Sequence, residues 1–141
     1  MGKKKHRKKA RQVAALAFRR AEDGSALVLL MSSRETGRPV IPKGWPMADR
    51  SDAKAAATEA WQEAGVRGRT SKKPIGSYRY WKRLEDHFRL IRVDVFALEV
   101  KKTTKEWPEK GQRELAWLTQ AEAAAVVDDP ELATLIGEAT L

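Results

Sequence analysis

The chain has 141 residues, room for one hydrophobic core, and its 42% hydrophobic and 33% charged residues predict a globular fold rather than disorder. It contains no cysteine, which excludes disulfides, thiolate zinc sites and a cysteine nucleophile, and its two histidines, His6 and His87, are too few for a histidine metal site. The net charge of +9 is local: Lys3, Lys4, Lys5, Arg7, Lys8, Lys9 and Arg11 hold seven positive charges, and without them 21 basic residues face 19 acidic ones.

Residues 1–11 therefore read as a basic, disordered tail, and 12–141 as a single domain. Such a tail aids solubility, or makes a weak, unspecific contact with RNA or another polyanion. No apolar run is long enough to span a bilayer. The stretch Val13–Phe18 behind the basic run is too short for a secretory h-region and closes at Arg19-Arg20, so a cytoplasmic protein is expected.

The predicted elements begin with a strand over 12–20. Asp23-Gly24 is a turn signal, and the apolar run Ala26–Ser32 suits a buried strand paired with the first. Thr36-Gly37 turns the chain again, Val40-Ile41 is a short strand ended by Pro42, and Lys43-Gly44-Trp45-Pro46 reads as a loop. Ser51 or Asp52 caps an alanine-rich helix from Asp52 to Ala64, which stops at Gly65. A polar stretch with Gly68, Pro74 and Gly76 follows. Strands are then expected at Ser77–Leu84 and Phe88–Val100, a charged loop at Lys101–Gly111, and a short strand at Glu114–Leu118. Thr119-Gln120-Ala121-Glu122 is a capping box opening a second helix, and Asp129-Pro130 starts a third with Leu132, Leu135 and Ile136 on its apolar face. Strands, helix, strands and helices in this order predict an α/β (α+β) domain, a mixed β-sheet sandwiched between helices.

Within the first helix, Glu59, Gln62 and Glu63 stand at i, i+3 and i+4 and share one face, while alanines and Trp61 on the other side pack on the sheet. Two carboxylates and an amide oxygen on one stripe suit a hard cation such as magnesium; the same stripe is also what an exposed helix face carries. From Arg67 to Leu84 the chain has seven basic residues, Arg67, Arg69, Lys72, Lys73, Arg79, Lys82 and Arg83, and no acidic one. With Arg34, Arg38 and Lys43 they form either a phosphate-binding surface or a solvated basic face. Trp45, Trp81 and Trp107 either stack on a base or cover a loop.

The segment from Gly44 to Val66 resembles the signature of the Nudix hydrolases, G-x5-E-x7-R-E-U-x-E-E-x-G-U, through Gly44, Glu59, Ala60, Glu63, Gly65 and Val66. Arg50 stands where the first glutamate belongs, Thr58 where the arginine belongs, and Gln62 where the first glutamate of the pair belongs. The lead Thr36–Gly44, the Trp107-Pro108 loop and Trp117 resemble members acting on diphosphoinositol polyphosphates and dinucleoside polyphosphates. The resemblance implies a metal-dependent hydrolase of phosphoanhydride bonds in nucleoside- or inositol-linked polyphosphates. Glu59 and Glu63 would be its catalytic metal ligands, with Gln62 and the Gly44 carbonyl as further ligands, and the cofactor would be Mg2+ or Mn2+. Arg34, Arg38, Lys43, Arg79, Lys82 and Arg83 would bind the phosphates, and a later-loop carboxylate, Glu106 or Glu109, would activate water. The departures at Thr58 and Gln62 also allow an alternative, a catalytically impaired module that only binds nucleotides or polyphosphates.

Overall fold

The computed structural model describes residues 10–141, so the basic run Lys3–Lys9 lies outside the described residues, while Arg11 opens the first strand. Eight strands form one sheet: β1 (Arg11–Arg20), β2 (Ala26–Ser32), β3 (Pro39–Val40), β4 (Lys43–Gly44), β5 (Val66–Thr70), β6 (Gly76–Arg83), β7 (Phe88–Thr103) and β8 (Leu115–Thr119). Three helices complete it: α1 (Asp52–Ala64), α2 (Gln120–Val126) and α3 (Pro130–Glu138). None of the described helices is long and apolar enough to cross a membrane.

The sheet is mixed, as the element order predicts. β1 runs parallel to β7, and the other pairs are antiparallel. β1 and β7 form its centre because their apolar runs are covered on both faces. On one face Ala14, Leu16, Phe18, Ile91, Val93 and Val95 pack with Tyr78 against Ala123, Leu132 and Ile136 of α2 and α3. On the other, Val13, Ala15, Ala17, Phe96 and Leu98 meet Ala55, Ala56, Ala60 and Ala64 of α1. The alanines bring the helix axis close to the sheet, and this closeness lets a glutamate of α1 reach the backbone of β4.

Several expectations are corrected. The sequence 66–70 is not a polar loop: it is strand β5, with a bulge between Arg67 and Gly68. Three of its five residues are exposed and none alternates, so periodicity is silent; backbone pairing with β7 makes the strand, and a side chain at Gly68 would run into the Glu99 carbonyl. Lys43-Gly44 is not loop either, since it pairs with Val13 and Ala14 of β1. Trp61 is only half-buried and lies under the Arg67 guanidinium, 4.5 Å from its ring centre, rather than in the core. Asp129 occupies the first position before α3 but makes no side-chain cap bond.

Candidate active site

Helix α1 starts at Ser51, whose hydroxyl accepts from the Lys54 N–H at 3.3 Å, and stops at Gly65, whose left-handed backbone (φ 71°) closes the last turn onto the Trp61 carbonyl. The Trp107 ring lies on Gly65, where a Cβ would overlap it. A short tie at the other end fixes the helix to the sheet: Arg11 bonds Asp52 at 2.8 Å and Asp94 at 3.2 Å. The helix is therefore pinned at both ends, with one face set against β4.

Glu59 and Glu63 converge on that face. Glu63 is 6% exposed, and its Oε1 accepts from the Lys43 backbone N–H at 3.3 Å. The Glu59 carboxyl sits against the Cα of Gly44, where any Cβ would push the carboxyl aside. The two carboxyls lie close enough to share a proton. Burial raises both, and Glu63, which also has the Glu59 carboxyl beside it, is pushed up to about 8. Gln62, on the same turn, is half-buried; its backbone carbonyl accepts from the Glu109 N–H at 3.0 Å.

Of the two loop glutamates, the structure brings Glu109 to the site and not Glu106. Glu106 is exposed and paired with Lys110. The charge of Glu109 is felt at Glu59. Arg113 donates to Glu109 Oε1 through Nε and Nη2 at 3.3 and 3.0 Å and to the Ser32 carbonyl through Nη1. The Arg113 side chain is 9% exposed, and its charge also lowers the proton affinity of Glu59 and Glu63. Arg113 was not singled out in the sequence; the i, i+4 spacing to Glu109 was the available signal, but Glu109 fell in the charged loop Lys101–Gly111 and Arg113 just beyond it.

Among the basic residues, Lys43 and Lys82 gather at one place. The Lys43 ammonium lies 4.9 Å from the Tyr80 ring centre, and Lys82 lies 6.0 Å from that of Trp45. Burial lowers the Lys43 pKa, Glu63 offsets part of that, and the neighbouring Lys82 lowers it further. Asp129 is coupled to Lys43, and burial raises its own pKa. Tyr80, unremarked in the sequence, donates its hydroxyl to the buried Gln12 at 2.6 Å and so stays fixed beneath Lys43. Of the other four cations, Arg34 reaches the site through Glu109, Arg38 and Arg79 are held by other carboxylates, and Arg83 faces away. Arg34 donates to Gln112 at 2.9 Å and stands 3.8 Å from Glu109; Arg38 pairs with Asp128; Arg79 pairs with Glu131. Arg83 alternates with Lys82 along β6 and projects from the opposite face.

Two of the departures from the signature touch each other. Arg50 donates through Nη1 to the Thr58 hydroxyl at 2.9 Å, and that hydroxyl donates to the Lys54 carbonyl. No three His, Cys, Asp or Glu side chains among the described residues make a ready ion cage. The donor set is two carboxylates, an amide and a glycine backbone. It fits a hard ion that retains water and takes further oxygens from a phosphate chain, because the buried Glu63 carboxylate has only the Lys43 N–H as a donor among the described residues and leaves its other lone pairs open toward Glu59. A groove of about 550 Å³ lies elsewhere, between the start of β6 and α3, and contains none of these groups.

A family model described as NUDIX domain matches residues 10–136. Nudix hydrolase 12, mitochondrial, of Arabidopsis thaliana is 36% identical over 100 residues, which are 68% of this chain and 49% of that protein. Nudix hydrolase 16, mitochondrial, of the same plant is 37% identical over 108 residues, 73% of this chain and 59% of that protein. The chain thus spans about half the length of the curated relatives it matches. Solved structures show the same fold. A C. elegans Ap4A hydrolase binary complex gives a TM-score of 0.65 at 16% identity, covering 90% of this chain and 92% of that one. The NUDIX domain of Shewanella oneidensis NrtR complexed with ADP ribose gives 0.64 at 12% identity, covering 90% and 85%. With a family model matched from the first described residue to α3 and relatives above one-third identity over 100 residues or more, the chain belongs to the Nudix family.

Proposed function

We infer that the chain is a metal-dependent hydrolase of phosphoanhydride bonds in nucleoside- or inositol-linked polyphosphates, with dinucleoside polyphosphates and diphosphoinositol polyphosphates as its substrate classes. The observation that carries this is the enclosed carboxylate pair. Glu63 is buried beside Glu59 with no ion-pair partner among the described residues. Two crowded carboxyls are unfavourable as structure alone, and a cation is what relieves them. Glu59 and Glu63 hold the ion, with Gln62 and the Gly44 carbonyl as neutral donors. When bound, magnesium or manganese there supplies Lewis-acid polarisation of a phosphoryl oxygen and a more acidic water.

The remaining steps belong to the chain's own groups. Lys43 and Lys82 bind and orient the phosphate chain, and Trp45 beside Lys82 flanks it. Glu109, held by Arg113 next to Glu59, accepts the proton of the attacking water. The substrate classes are supported by the lead Thr36–Gly44, by Trp107-Pro108 against the helix end, and by the Ap4A hydrolase among the structural neighbours.

A hydrolysis screen with Mg2+ or Mn2+ tests this on dinucleoside polyphosphates, diphosphoinositol polyphosphates and nucleoside diphosphate conjugates. Cleavage is expected, raised by Gln62→Glu and lost in Glu63→Gln; no cleavage of any compound with either metal overturns it. A second reading, a binding module without turnover, is favoured by the uncharged Gln62 amide and by Thr58, whose hydroxyl is already engaged by Arg50. It predicts ligand binding without cleavage, and activity from Gln62→Glu only when Thr58→Arg is added.

A further inference from the structure

The last turn of a helix leaves carbonyls that no N–H of the helix itself can reach. At the end of α1 the segment after β7 supplies the missing donors. The Gln62 carbonyl accepts from the Glu109 N–H at 3.0 Å. The Gly65 carbonyl accepts from the Thr104 N–H at 2.9 Å and from the Thr104 hydroxyl at 3.0 Å. Between these two anchors Trp107 lays its ring on Gly65, so closely that a Cβ there would overlap it. The chain then turns tightly: the Lys110 N–H returns to the Trp107 carbonyl at 3.2 Å, and the Gln112 N–H to the Glu109 carbonyl at 3.0 Å. Gln62 thus serves both sides of the site, with its side chain on the Glu59–Glu63 stripe and its carbonyl on Glu109.

One backbone bond at a helix end holds a loop weakly, and Arg113 grips only one of the two carboxyl oxygens of Glu109. The ring two residues before Glu109 supplies the rest. Trp107 is half-buried, and its Nε1 is fully buried with no hydrogen-bond partner among the described residues. A buried indole N–H ordinarily finds an acceptor. Here contact with the helix end, and not a polar bond, places the ring. We propose that Trp107 is a positioning residue for the hydrolysis: its contact with Gly65 holds the loop against α1 and so sets Glu109 beside Glu59. This rests on the hydrolase reading, in which Glu109 takes the proton of the attacking water.

Steady-state kinetics, a double-mutant cycle and amide hydrogen exchange on the full chain test it. Trp107→Ala should lower kcat about tenfold with KM little changed. It should add little to Glu109→Gln, and it should speed exchange of the Glu109 and Thr104 amides. Trp107→Phe should recover most of kcat and of the protection, since the ring remains and the N–H it lacks bonds nothing. Mn2+ affinity, read by calorimetry, should be the same in every Trp107 variant, because Glu59, Gln62 and Glu63 are untouched. Melting temperature shows that each variant is folded, and Trp107→Leu replaces the alanine variant if that one is not. Three results would overturn the proposal: Trp107→Phe as slow as Trp107→Ala, effects of Trp107→Ala and Glu109→Gln that multiply, or Mn2+ affinity lost along with kcat. The last would show a disturbed helix and not a displaced base. A wild type that cleaves no substrate is instead a failure of the hydrolase reading. Exchange then decides alone whether Trp107 sets Glu109, and an unchanged Glu109 amide in Trp107→Ala overturns it.

Discussion

Glu63 and Trp81 depart from the usual placement of polar and apolar side chains in opposite directions: the carboxylate is 6% exposed and the indole 65%. The means differ as well. Glu63 is enclosed by the Lys43 N–H of β4, the Glu59 carboxyl and, across the site, Arg113. Trp81 is simply left uncovered where β7 extends beyond β1. Burying a charge is costly and has to be imposed by everything around it, whereas exposing a ring costs little and needs only the absence of a neighbour. Perturbation at the first place should therefore spread into chemistry and stability, and at the second into neither.

The strongest way to break this contrast is Glu63→Gln. Metal-dependent turnover should fall by at least about a hundredfold, and Mg2+ or Mn2+ should raise the melting temperature of the wild type but not of the variant. Turnover at the wild-type level would make Glu63 a structural residue no different in kind from Trp81. Gly44→Ala probes the same enclosure from the β4 side, leaving every ligand side chain in place. Its methyl group would push the Glu59 carboxyl aside, so a fall in turnover of about tenfold or more is expected with the denaturant midpoint little changed.

Arg113→Ala asks how Glu109 is held. It should lower kcat about tenfold with KM little changed, and it should be non-additive with Glu109→Gln in a double-mutant cycle. Additive effects would show the two residues acting separately. Arg113→Lys should recover only part, because a single ammonium cannot reproduce the two bonds to Oε1.

The effect of pH sharpens the contrast further. Glu63 has its ordinary value near 4.5 when unfolded and about 8 when folded, a raised value that favours the protonated form. Its contribution to the stability of the metal-free chain is full below 4.5 and is lost as pH rises through 8. Metal binding displaces that proton and so should tighten over the same window, levelling above 8; calorimetry at several pH values reads both trends. A metal affinity flat from pH 5 to 8 would contradict the raised carboxyl. The smallest effect belongs to Trp81→Ala, whose unfolding free energy should stay within about 0.5 kcal/mol of wild type.

Much of the fold was legible because local chemistry and tertiary demand agree. Ala26–Ser32 is a strand to the residue, α1 runs from Asp52 to Ala64 behind its Ser51 cap, and the capping box at Thr119 and Glu122 forms as its spacing predicts. The elements that were not legible are those made by backbone pairing alone. β4 is two residues long and β5 is mostly exposed, so neither carries a hydrophobic period. Trp61 was read as core from its apolar character, but it lies at the rim, where Arg67 covers it. Asp129 stands before Pro130, where a capping residue belongs, but its carboxyl makes no cap bond.

By itself the sequence determined the helix that carries Glu59, Gln62 and Glu63 on one stripe, and the glycine that precedes them. Both follow from spacing along one segment, where helical periodicity acts. Tertiary structure alone decided that Glu109 and not Glu106 completes the site, that Arg113 holds it, and that Lys43 and Lys82 meet while Arg79 and Arg83 turn away. Those choices depend on strand parity, on register and on which loops return to the same end of the sheet. Residues far apart in the chain settle them together, and no local pattern encodes their meeting.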